Sequence, residues 1–143
     1  MRFLVTGVGG FIASQIARRL LNDDHIVIGV DDFSGGLVEN VPKGVDLIVY
    51  DLSDPNVGKR LPRDIDVILH LAGQSSGEIS FDNPLKDLNK NVASTLNLIS
   101  HGIDTRVKRL IYASSMSVYG NIKEARAIEE SVNAPLSCYG NGK

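Results

Sequence analysis

Residues 6–13 read TGVGGFIA, from Thr6 to Ala13. Immediately before them stands a short apolar run, RFLV at 2–5. Immediately after comes FIASQIARRLL at 11–21, in which Ile12, Ile16 and Leu20 recur every four residues beside Ala13, Ala17 and Leu21. That spacing predicts a helix with one apolar face. A strand that passes through glycines straight into a helix makes a turn whose backbone N–H groups can face a pyrophosphate. The pattern G-x-G-x-x-G fails at Ile12, whereas G-x-x-G-x-x-A fits Gly7, Gly10 and Ala13. Gly7 would make the tight turn and Gly10 would keep side chains off the phosphates. Ala13 would let helix and strand pack closely. Gly9, Phe11 and Ile12 lie in the same turn and join Gly7 and Gly10 as candidate cofactor contacts. A glycine turn without a ligand is the plainer alternative; the strand–turn–helix context argues against it.

Working outward, HIVIGVDD (25–32) is a second strand, DLIVYDL (46–52) a third, DVILHLAG (66–73) a fourth and VKRLIYASS (107–115) a fifth. Between the second and third, FSGGLVENVPKG carries turn residues and predicts a loop with at most a turn of helix. After the fourth comes the longest helix, with Asn83 suited to its N-cap, Pro84 to its first position and Gly102 to its stop. Its expected apolar face is Leu85, Leu88, Val92, Leu96 and Ile99. Strands alternating with helices imply βαβ units and a parallel sheet covered on both faces. The fold class is α/β, a Rossmann-type doubly wound parallel sheet cut off after about five strands. Residues 1–143 are expected to form one incomplete dinucleotide-binding domain.

At 143 residues the chain can bury a real core. Fifteen basic residues against seventeen acidic ones leave a net charge of −2, which argues against a nucleic-acid or membrane-surface partner. Cys138 is the lone cysteine, so no internal disulfide can form. With no secretory leader in view, a reducing compartment, the cytoplasm, is expected. His70 sits in an apolar strand, and His25 and His101 show no ligand spacing. A packed, hydrogen-bonded His70 and no metal site are expected.

Asp31 falls 18 residues past Ala13, at the end of the second strand. An acid there can accept from both hydroxyls of an adenosine ribose and would repel a 2′-phosphate, so NAD is favoured over NADP. Asp32 is the weaker candidate of the pair, and Ser34 follows in the same segment. Asp51, with Leu52 beside it, ends the third strand where a carboxylate could accept from the adenine amino group. Leu71, Ala72 and Gly73 end the fourth, where small residues would let a cofactor lie close to the backbone.

Ser114 and Ser115 end the fifth strand, at the edge of the sheet that meets a ligand crevice. Tyr139 follows Ser115 by 24 residues, and Lys143 comes four later. A hydride can leave an alcohol carbon only if the hydroxyl proton leaves too, so a base must sit beside it. Free tyrosine has a pKa of about 10, and bringing it to 7 takes roughly 4 kcal/mol. A neighbouring ammonium and a positive nicotinamide ring work in that direction. Lys143 could also reach the nicotinamide ribose, and Ser115 could hold the substrate oxygen.

Taken together, these segments resemble the extended short-chain dehydrogenase/reductase family, the NAD-dependent sugar-nucleotide epimerases and dehydratases. TGVGGFIA is similar to that family's TGxxGFIG, HLAGQ to its HLAAQ, and SSMSVYG to the epimerase SSSxxVYG. The resemblance implies that Ser115, Tyr139 and Lys143 are catalytic and that Asn91 supports the cofactor region. Cys138 stands for a usual proline and Gly142 for a usual serine, and the glycine is expected to loosen the hold on Tyr139 and Lys143. Hexose 4,6-dehydratases carry Thr-Asp-Glu where this chain has Ser115, Met116 and Ser117, so the resemblance favours a 4-epimerase working through a transient ketone. A related reductase or dehydratase is the alternative within the family, and a non-catalytic NAD-binding sensor or scaffold is the alternative outside it. Family members run to about twice this length, with a C-terminal domain for the nucleotide-sugar substrate. The resemblance therefore implies a fragment, inactive on its own, with Lys143 frayed at its end. Apolar surface left on the fifth strand, together with the long helix, implies a homodimer.

Overall fold

The computed structural model describes residues 1–122 and 126–143. Strands β1 (Arg2–Thr6), β2 (Ile26–Asp31), β3 (Asp46–Val49), β4 (Val67–His70) and β5 (Arg109–Tyr112) form one parallel sheet in the order β3-β2-β1-β4-β5. The chain steps outward from β1 to one edge, then returns to β1's other side for β4 and β5. The doubly wound parallel sheet read from the sequence is therefore present, and its switch point lies between the ends of β1 and β4.

Alternation along the strands sorts side chains to two cores. Leu4, Ile28 and Ile68 stand side by side in register and pack with Leu98 and Val57 on one face. Val5 and Val27 serve the other face, where helix α1 (Phe11–Asn22) lays Ala13 and Ala17 against them. Ala13 and Ala17 let α1 sit close, as the spacing predicted; Ile12, at 63% exposed, is outside that face. A single turn at Val38–Asn40 is all the helix between β2 and β3, as the loop composition predicted.

The long helix departs from expectation in three ways. It begins as predicted, with the Asn83 side chain accepting from Lys86 N–H and Pro84 in the first turn of α3 (Pro84–Leu88), which follows the short α2 (Gly77–Asp82). At Asn89–Ala93 it then widens into a π turn before continuing as α4 (Ser94–Thr105). It also runs past Gly102. Arg106, at φ +59°, occupies the left-handed position instead; Val107 N–H bonds the Gly102 carbonyl and Arg106 N–H the Ile103 carbonyl. That pair is the Schellman closure, so the helix stops without needing glycine. The third departure is the face. Leu85, Leu88, Leu96 and Ile99 are exposed, while Asp87, Asn91, Ser94, Leu98 and His101 are buried. Apart from Leu98, which joins the core, the inward side of this helix is polar and makes hydrogen bonds to neighbouring segments.

Candidate active site

Gly7 takes φ +71°, and a Cβ there would lie 2.9 Å from the Ala72 backbone, so only glycine fits where β1 passes the end of β4. Thr6 ties the same two strand ends together: its Oγ1 accepts from Leu71 and Ala72 N–H, both at 3.1 Å. With its lone pairs so used, Thr6 donates its proton to His70 Nδ1 at 2.8 Å. His70 Nε2–H then donates to Thr95 Oγ1 at 3.0 Å, and Thr95 donates to the Asn91 carbonyl. His70 is fully buried and hydrogen-bonded, as expected. Burial, with Lys143 adding a smaller effect, pushes its pKa down to about 4. It is a neutral strut between β1, β4 and the π turn, not a base.

Gly10 caps α1, whose first residues, Phe11 and Ile12, are exposed at the crevice. The free amides of that first turn favour an anion. Asp31 is buried and braces the turn: Oδ2 accepts from Gly9 N–H at 2.9 Å and Oδ1 from Phe33 N–H at 2.8 Å. A carboxylate has about four acceptor positions, so two remain for further donors. Asp32 accepts from the Ser34 hydroxyl at 2.6 Å, and Asp51 from the Ser53 hydroxyl at 2.7 Å. Leu52 is buried in one core, and half-buried Leu71 packs against the core on the α1 side.

The sequence reading missed Lys90. From the π turn its ammonium reaches Asp32 at 2.5 Å and Asp51 at 2.8 Å, joining residues far apart in the chain. Burial opposes all three charges. The hydrogen bonds outweigh it, leaving both acids below and Lys90 above their ordinary pKa values.

At the other end, Asn91 donates its amide to buried Asp87 at 2.9 Å and to the Gln74 carbonyl at 3.1 Å. That orientation leaves Asn91 Oδ1 buried and, among the described residues, without a partner. A Cβ on Gly73, at φ +154°, would collide with this oxygen and stand 3.2 Å from Lys143 Nζ. The missing side chain is thus what lets Asn91 Oδ1 and the Lys143 ammonium come up against the backbone at the end of β4.

Tyr139 lies on the short helix α5 (Cys138–Asn141), capped by Ser137, whose Oγ accepts from Gly140 N–H at 3.0 Å. Lys143 Nζ sits 5.7 Å from the centre of the Tyr139 ring and 5.2 Å from that of Tyr112. Its main chain is held, the carbonyl accepting from Ser114 Oγ at 3.0 Å, so Lys143 is docked rather than frayed. Burial lowers its pKa, with Asp87 pulling the other way. Gly142 fits this packing: its carbonyl accepts from Tyr112, and a Cβ would press within 3.3 Å of Asn91. Ser115 caps the Met116–Val118 turn and shares its hydroxyl with Ser117 at 3.3 Å. Among the described residues it makes no hydrogen bond to Tyr139. No cluster of three potential metal ligands occurs there, and no helix is long and apolar enough to cross a membrane.

Residues 3–143 match the NAD dependent epimerase/dehydratase family. The chain belongs to that family. It is 36% identical over 150 residues to UDP-glucose 4-epimerase of Mycolicibacterium smegmatis, covering 100% of this chain and 48% of the relative. It is also 36% identical to UDP-glucuronic acid decarboxylase 1 of Xenopus tropicalis, covering 99% of this chain and 35% of that protein. Its fold superposes on the UDP-glucose 4-epimerase of Thermus thermophilus, solved in complex with NAD. There the TM-score is 0.95 at 36% identity, covering 100% of this chain and 47% of that one. The chain thus spans about half the length of such family members, or less.

Proposed function

We propose that this chain is the NAD-binding part of an enzyme that epimerises a nucleotide-activated sugar at a hydroxyl-bearing carbon. The observation that carries the reading is the meeting, beside the Gly73 backbone at the end of β4, of the Lys143 ammonium and of Asn91 Oδ1, which has no partner among the described residues. Those two groups fit the hydroxyls of a nicotinamide ribose, and Gly7, Gly10 and Asp31 fit the pyrophosphate and adenosine end. When bound, NAD supplies the hydride acceptor.

Tyr139 takes the proton as the sugar hydroxyl becomes a ketone, and returns it when the hydroxyl is remade on the opposite face. Lys143 stands beside it, its ammonium 5.7 Å from the centre of the Tyr139 ring. Ser115 holds the sugar oxygen once it exchanges its bond with Ser117 for the substrate. Ser115-Met116-Ser117 offers no acid pair to expel water, which favours epimerisation over dehydration. The substrate-binding residues belong to the half of the protein that follows in longer family members, so the 143 residues alone bind without turnover. The exposed stripe of Leu85, Leu88, Leu96 and Ile99, with Ile111 on β5, is where a second copy would pair, giving a homodimer in a reducing, cytoplasmic setting.

The test is Tyr139→Phe in the longer protein. Turnover of the nucleotide sugar should fall by about a thousandfold or more, consistent with loss of an acid/base group, while NAD affinity is kept. Undiminished turnover would remove Tyr139 from the mechanism.

A further inference from the structure

Among the described residues, Lys90 is the one cation that spans the crevice end of β2, the segment after β3 and the π turn. Its side chain is 20% exposed, against 24% for Asp32 and 45% for Asp51, so water screens the three charges only in part. Both acids are also fixed from behind, Asp32 by the Ser34 hydroxyl and N–H, and Asp51 by those of Ser53. These bonds hold the two carboxylates in place beside the ammonium. Buried Asp31 adds a third negative charge next to Asp32. Without Lys90 this corner would confront a dinucleotide, itself anionic, with uncompensated carboxylates.

The π turn explains how one lysine reaches so far. Extra width at Asn89–Ala93 frees main-chain carbonyls, and the Ser94 and Thr95 hydroxyls bond those of Lys90 and Asn91. Two adjacent residues can thus face the crevice together, Asn91 toward Gly73 and Lys90 toward the acids.

We propose that Lys90 is a cofactor-affinity residue: it clamps Asp32 to Asp51 and so forms and neutralises the wall of the adenosine subsite. The inference rests on the dinucleotide-binding reading above and adds a residue to it. Because two carboxylates already match its charge, Lys90 offers no free cation to a 2′-phosphate, and NADP stays the poorer ligand.

The experiment is calorimetric titration of the 143-residue chain with NAD and, separately, with ADP, which carries only the adenosine half. Lys90→Met, which suits a helix and keeps the stem, should weaken both ligands about tenfold, about 1.4 kcal/mol. Lys90→Arg should recover part of the loss. The thermal midpoint of the ligand-free variant and its circular dichroism report whether the fold survives. Should Met not fold, Lys90→Gln takes its place with the same expected loss. Unchanged or tighter NAD and ADP binding by a folded variant would overturn the role of Lys90. Failure of the unaltered chain to bind NAD would instead strike the dinucleotide-binding reading itself.

Discussion

Helix α1 and the long α3–α4 helix both carry apolar residues at helical spacing, yet they dock with opposite faces. α1 turns Ala13, Ser14 and Ala17 to the sheet, and Leu20 and Leu21 join the same core. The long helix turns Asp87, Asn91, Ser94 and His101 inward with Leu98, and presents Leu85, Leu88, Leu96 and Ile99 outward. Periodicity announces that an apolar face exists; it does not say who covers it. One helix is held by burial, the other largely by hydrogen bonds to strand ends and crevice residues.

The largest expected effect separates the two helices by pH. His70 has an ordinary pKa of 6.5 and a folded value of about 4. The unfolded chain binds the extra proton, so stability is full above pH 6.5 and falls as pH drops toward 4. The loss is about 3 kcal/mol, read by urea denaturation, and His70→Gln should flatten it. Hydrogen exchange should show α4 amides opening before those of α1 over that range. Uniform opening would break the comparison.

Ala17→Leu comes next. At 0% exposed it has no room, and overpacking should cost about 2 kcal/mol by the same denaturation assay. Asp87→Ala tests the polar face. It leaves the Gln74 and Asn91 amides without their carboxylate and should cost about 1–2 kcal/mol, with weaker NAD binding as Asn91 loses its orientation. Smallest for the monomer is Leu96→Glu on the exposed stripe, with under about 0.5 kcal/mol expected. Its effect should appear in size-exclusion chromatography, as loss of a dimer. A dimer that persists would move the interface elsewhere.

The glycine turn, the alternating strands and the Tyr139/Lys143 pair were legible because each is written in contiguous residues. A strand, a turn and a helix start within TGVGGFIA need no distant partner to be recognised. Lys90 was not legible, since its ammonium meets Asp32 across 58 positions of sequence and only the sheet order brings them together. The π turn has no compositional marker, and it alters which side chains face the crevice. Gly102 misled because a helix can close with a non-glycine residue in the left-handed region, as Arg106 does. The inward polar stripe could have been found: Asp87 and Asn91, both buried, and half-buried Thr95 recur at four-residue spacing, the period of one helix face.

The central claim is that this chain forms a dinucleotide site, and titration of NAD into the 143-residue chain tests it most directly. One NAD should bind per chain, and Asp31→Ala should lose most of the affinity. No heat and no thermal stabilisation at millimolar NAD would contradict the account.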